Sequence, residues 1–259
     1  MEIKPIRITI NAGLDDKDDA LASLNEHLRF AADAVQAAYR ARYAGATGGG
    51  DRQDAIALLA VVADFLQVMS RLDDEYGPDR SLPIEDAPDA VDEALRALAE
   101  LESWLIRLDA EDRLADLQAV EIGIGYWAMR HGVAVLTVEP IVNALAAKSN
   151  AATSTQETAA VYAMMQGFIG HFLTGLGSDL ERSNPQRPWR LLNLNFAITA
   201  IRTGDTHLMR YAFDTLNSHL PDERTGFYEE AHALACQPGF PGPTRALIET
   251  ELARWTRAH

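Results

Sequence analysis

The chain has 259 residues, 47% of them hydrophobic and 24% charged, with a formal net charge of −15 and a single cysteine, Cys236. That length can bury a sizeable core as one large domain or two small ones. The negative charge weighs against nucleic acid and anionic membrane surfaces, which would repel it. A lone cysteine rules out an intrachain disulfide and suits a reducing compartment.

The first residues, MEIKPIRITINAG, lack a continuous apolar core and a small-residue cleavage pattern, so they do not read as a secretory signal. No window holds the roughly 20 uncharged apolar residues of a spanning helix, and the expected location is the cytoplasm with no membrane partner. Ile6, Ile8 and Ile10 alternate with polar neighbours at the period of a strand. A strand without a partner forms no sheet, so residues 1–14 are expected to be a short extended arm. Asp15, Asp16, Asp18 and Asp19 then open a helix running to about Tyr43, where first-turn acids complement the macrodipole. The cluster lacks the alternation and central glycine of a calcium loop. Gly45 and the glycines at 48–50 end this helix, and a second over 51–76 carries Ile56, Leu59, Ala60, Ala63, Leu66 and Val68 on or near one stripe. The two make a first hairpin, 15–76. Gly77, Pro78, Pro83 and Pro88 mark 77–87 as a linker and the best candidate for an internal boundary.

A third helix is predicted over 88–108, with Val91, Leu95, Leu98, Leu101 and Leu105 at helical spacing. A fourth spans 110–131 and stops at Gly132, where glycine takes a positive φ without cost. Within it, Gly123, Gly125 and Ala128 match the G-x-G-x-x-[GA] dinucleotide pattern. Too few residues follow for a crossover helix, so the glycines are expected to sit inside one long helix and allow close packing. Thr137 is expected to cap a fifth helix with Pro140 in its first turn. Ser154 and Glu157 form a capping box that opens a sixth, extending to about Leu180. Pro185 and Pro188 precede the seventh, Asp205 caps the eighth, Pro221 separates off a ninth ending near Gln237, and the run PGFPGP sets apart a last helix over 244–257. About ten helices and no strand beyond the arm make the chain all-α.

The segment 189–221 reads as two helices broken at Gly204-Asp205, which must lie antiparallel. With that pair on a Gly-Asp turn, Phe213 takes the aromatic site of the second helix and Pro221 the closing proline. The segment therefore resembles one tetratricopeptide repeat of about 34 residues. Met209 stands in place of the small alanine, and Asn193 and Phe196 replace the early aromatic and leucine. The resemblance implies a right-handed α-solenoid-like stack of antiparallel helical hairpins, making 1–259 a single helical-repeat domain. It also implies a groove lined by Leu191, Leu194, Ile198, Ile201 and Arg202. Such a stripe serves either as an exposed groove or as core, and buried helical stripes are the commoner case.

Two constellations carry candidate chemistry. Arg182, Arg187 and Arg190 gather beside Trp189 at a helix start, with Asn193 one turn on. Arginines offer forked donors to carboxylate or phosphate, and cations there oppose the macrodipole and invite an anion. Acidic side chains of neighbouring helices would equally satisfy them. Glu229, His232 and Cys236 share a helix face at i, i+3 and i+7. They are weak candidates for a metal or redox cluster, a partly buried histidine and a core thiol being the ordinary explanation. Neither Gly-x-Ser-x-Gly, a Walker loop, nor a pair of cysteine ligands occurs. The pattern favours a non-enzymatic scaffold that binds a protein or peptide, without a cofactor, through Arg187, Trp189, Arg190, Asn193 and Arg202. The alternatives are an enzyme or small-ligand protein with a pocket near Glu229 and His232, and a structural homo-oligomer.

Overall fold

A computed structural model of the chain describes residues 17–42, 50–77, 80–81, 84–176, 188–236 and 241–256. The helices in order are α1 Lys17–Arg42, α2 Gly50–Tyr76, α3 Ala87–Arg107, α4 Leu114–His131, α5 Glu139–Ala151, α6 Thr155–Leu176, α7 Pro188–Thr203, α8 Thr206–His219, α9 Arg224–Ala235 and α10 Gly242–Thr256. Single 3-10 turns, Glu111–Arg113 and Pro221–Glu223, lead into α4 and α9. The described residues are therefore all-α, with ten helices and no strand. The extended arm expected at 1–14 lies outside the described residues.

Local signals set most boundaries. Gly132 follows α4 in the left-handed region at φ +65°, and its N–H closes onto the Met129 carbonyl. Asp205 caps α8 by accepting from the His207 and Leu208 amides at 2.7 and 3.3 Å. The capping box ahead of α6 is complete: the Glu157 amide donates to Ser154 Oγ at 3.2 Å, and the Ser154 amide to Glu157 Oε2 at 3.1 Å. Backbone donors from Thr153 and Ser154 hold the Glu157 carboxyl below the usual carboxylate range. Thr137 is not the cap of α5, which begins at Glu139. The Leu136 and Thr137 amides instead donate to Oδ1 of buried Asp92 at 3.0 and 2.8 Å, so a side chain of α3 holds the approach to α5.

The chain divides into two compact units. The first gathers the described residues up to Lys148 together with α6 from Gly170; the second takes 149–169 and the described residues from 188 onward. This boundary falls within α5. The proline-rich stretch 77–87 lies inside the first unit, where α2 and α3 pack directly against each other.

In the first unit α1 packs on α2, α2 on α3, α3 on α4, and α4 back on α1. The ring closes the four into a bundle, whereas an open stack of hairpins would leave α1 and α4 apart. On α3, Val91, Leu95, Leu98, Leu101 and Leu105 are all fully buried, as their spacing requires. Gly123 and Gly125 lie within α4, and a Cβ on Gly123 would sit 2.5 Å from Leu24 Cδ2 of α1, so the absent side chain lets the two helices close up. At one end of the bundle Asp73 of α2 accepts from Trp127 Nε1 at 2.8 Å and lies 2.7 Å from His131 Nε2. His131 Nδ1 donates to the Arg80 carbonyl at 2.7 Å, which ties α2, the link after it and α4 together.

In the second unit α7 packs on α8, α9 on α10, and α10 also touches α8. Its core is aromatic. Phe213 meets Tyr228 edge-on with centroids 5.3 Å apart, and Phe196 stacks on Tyr162 at 4.6 Å.

Candidate functional site

The α7 cluster serves the interior of its own unit. Trp189 and Asn193 are buried; Asn193 Nδ2 donates to the Trp189 carbonyl, one turn earlier, and its Oδ1 accepts from His219 Nδ1 at 2.8 Å. The His219 ring lies 5.0 Å from that of Trp189, and burial pushes the imidazole below its ordinary value. Arg190 forks onto Glu223 through Nε at 2.6 Å and Nη2 at 2.9 Å, so the anion that a cation at a helix start invites comes from the turn ahead of α9. Arg202 donates to the Ser149 carbonyl and hydroxyl and, at 3.1 Å, to the Ala152 carbonyl, sealing the end of α5. Arg187 lies outside the described residues, as does Arg182.

The apolar stripe of α7 is less buried than the residues beside it. Leu192, Phe196, Ala197 and Ala200 are buried, whereas Leu191, Leu194 and Ile201 are partly exposed and Ile198 is 45% exposed. The stripe is therefore partly covered, with Ile198 alone of its apolar members fully in the exposed range.

On α9, His232 Nε2 lies 3.7 Å from Cys236 Sγ and 3.8 Å from Glu249 Oε1 of α10. Glu229 points to solvent and Cys236 is exposed. Among the described residues no group of three or more His, Cys, Asp or Glu side chains is placed to hold a metal ion.

A second partly open apolar surface lies on α2. Residues 55–63 read AIALLAVVA, apolar around the whole circumference, yet only Ala55 and Val62 are buried and Ile56 is 44% exposed. From Asp54 to Tyr76 the helix is long and apolar enough to cross a membrane by composition, while only 33% of its most apolar window is buried. A helix hydrophobic on all sides ordinarily belongs in an interior. Beside it runs a groove of about 560 Å³ lined by Asp54, Ala57, Leu58 and Val61 of α2 and by Glu100, Trp104 and Arg107 of α3. Arg107 folds over the Trp104 ring with its guanidinium carbon 4.3 Å from the centroid, and it donates to Glu100 Oε1 at 2.8 Å. Helical spacing assigns a stripe to α2 but misses this groove. The available signal was the absence of any charge between Asp54 and Asp64, too apolar for a helix with one buried face.

Among the described residues, the buried side-chain polar atoms without a hydrogen-bond partner are both Glu121 carboxylate oxygens, Asn217 Nδ2 and Thr244 Oγ1. Glu121 of α4 is fully buried, and neither carboxylate oxygen has a hydrogen-bond partner. Burial, with a smaller contribution from the negative charge of Glu102 on α3, pushes its carboxyl up to about 9. Burial also raises Glu102, against a hydrogen bond from Gln118 Nε2 at 3.3 Å. In sequence, Glu121 reads only as an interruption of an apolar run.

No protein-family model matches the chain, and neither a curated protein nor a solved structure matches it.

Proposed function

We propose that this chain is a non-enzymatic protein-binding module whose docking surface is formed by α2 and α3 of the first unit. The observation that carries this reading is the uncharged run 55–63, left largely uncovered next to a groove edged by Trp104. Contiguous apolar surface of this kind on a folded domain marks interaction sites. The α7 side chains favoured by sequence are less suited to the task, because their polar groups are taken up by Glu223, His219 and the carbonyls ending α5.

The test compares three full-length proteins immobilised in extract of the source cell. These are the wild type, the double variant Ile56→Asp with Val61→Asp, and a control, Leu234→Asp, on α9. Wild type and control are expected to retain a common protein that the double variant loses. Identical retention by all three would refute the assignment.

A further inference from the structure

We infer that the occupant of the α2/α3 groove is a basic amphipathic helix, an inference that rests on the docking reading above. The groove fits a helix in length and shape. Residues 54–61 of α2 and 100–107 of α3 form its two walls, and the two helices pack against each other. At 1.5 Å per residue the α2 wall is roughly 10 Å long, the distance from i to i+7 along a ligand helix. Such a ligand lays side chains i, i+3 or i+4, and i+7 onto one apolar strip, here Ala57, Leu58, Val61 and Trp104.

Charge selects the ligand's other face. Arg107, the one cation in the lining, is held by Glu100 and lies over Trp104, so it offers little to an incoming anion. Among the described residues no cation pairs with Asp54 at the mouth of the groove. Arg42 of α1, which donates to the Arg107 carbonyl, is likewise engaged by Asp109 at 3.1 Å. With Glu100 paired to Arg107, the charge left uncompensated in the lining is the Asp54 carboxylate, in a chain of net charge −15. Lysines or arginines flanking an apolar strip would meet Asp54 and the field of a negatively charged chain, whereas an acidic helix would be repelled and slowed in its approach.

Three labelled peptides of ~18 residues, about five helical turns, test this against the full-length protein by fluorescence anisotropy. All carry the same leucine strip, with lysine, glutamine or glutamate on the polar face. The lysine peptide is expected to bind, the glutamate peptide not. Ala57→Arg, an exposed position that tolerates a long side chain, is expected to weaken the lysine peptide by about tenfold or more through both bulk and charge. Asp54→Lys is expected to weaken it by roughly threefold or more and to flatten its salt dependence. Equal binding of the glutamine and lysine peptides, indifferent to Asp54→Lys, would overturn the charge selection and leave the docking reading intact. Absence of binding by all three would overturn the helix itself. Binding to phosphatidylcholine vesicles, or concentration-dependent dimerisation abolished by Ala57→Arg, would overturn the inference in favour of lipid or a second copy.

Discussion

Replacing Glu121 by glutamine is expected to stabilise the first unit in a manner that depends on pH. In the folded bundle the carboxyl is fully buried without a hydrogen-bond partner and titrates near 9, against 4.5 when exposed to water. Between those two values the folded chain keeps a proton that the unfolded chain has released. Folding therefore carries a cost that grows with pH, and the stability held below 4.5 is lost progressively as pH rises toward 9. At pH 7 the gap above 4.5 is 2.5 pH units; at about 1.4 kcal/mol per unit this amounts to a cost on the order of 3 kcal/mol. Glutamine has nearly the same shape and carries no such proton. Urea unfolding of wild type and Glu121→Gln is followed by circular dichroism at several pH values. Hydrogen exchange at the amides of α4 assigns the difference to the bundle. The variant is expected to gain roughly 3 kcal/mol at pH 7 and within about 0.5 kcal/mol of nothing near pH 4.5. An equal gain at both pH values, or a loss at pH 7, would refute the reasoning. Such an ionisable group kept in a core, at a cost that glutamine would relieve, is characteristic of a position not optimised for stability alone.

Asp73→Ala should destabilise the first unit by about 2–4 kcal/mol, because it strands the Trp127 indole N–H and the buried His131 ring; thermal unfolding reads this directly. On α7, Phe196→Ala should cost about 3–5 kcal/mol while Ile198→Lys stays within about 0.5 kcal/mol, since the first empties core and the second adds charge to surface. Denaturant midpoints that move by similar amounts would place the stripe inside after all. For the second unit, His219 is depressed by burial and donates through Nδ1 to Asn193. Its contribution is complete above the ordinary histidine value, about 6.5, and is lost as pH falls through the lower folded value. His219→Gln is expected to show a shallower loss of stability on acidification than the wild type, and parallel acid-unfolding curves would contradict this.

The helices were legible because what begins and ends them acts over a few residues. Asp205 reaches the amides two and three positions on, Ser154 and Glu157 satisfy each other three apart, and Gly132 answers to its own backbone angle. Thr137 misled for the opposite reason: its amide is held by Asp92, forty-five positions earlier, an interaction that no local pattern encodes. Contacts between residues distant along the chain also explain the patch expected on α7. Arg190, Trp189 and Asn193 look like a recognition patch until Glu223 and His219 are brought against them.

The amino-acid sequence alone determined that this protein is helical throughout its described length and where each rod is punctuated, since helix period and capping depend on neighbours along the chain. Tertiary structure decided which apolar faces are covered. α7 carries apolar residues on both sides, and periodicity cannot say that Phe196 turns inward and Ile198 outward; residues 55–63 of α2 are apolar all round, and nothing local says that Ile56 and Ala57 stay exposed. Closure of α4 onto α1, made close at Gly123 against Leu24, likewise depends on contacts between residues about a hundred positions apart, which local propensity does not carry.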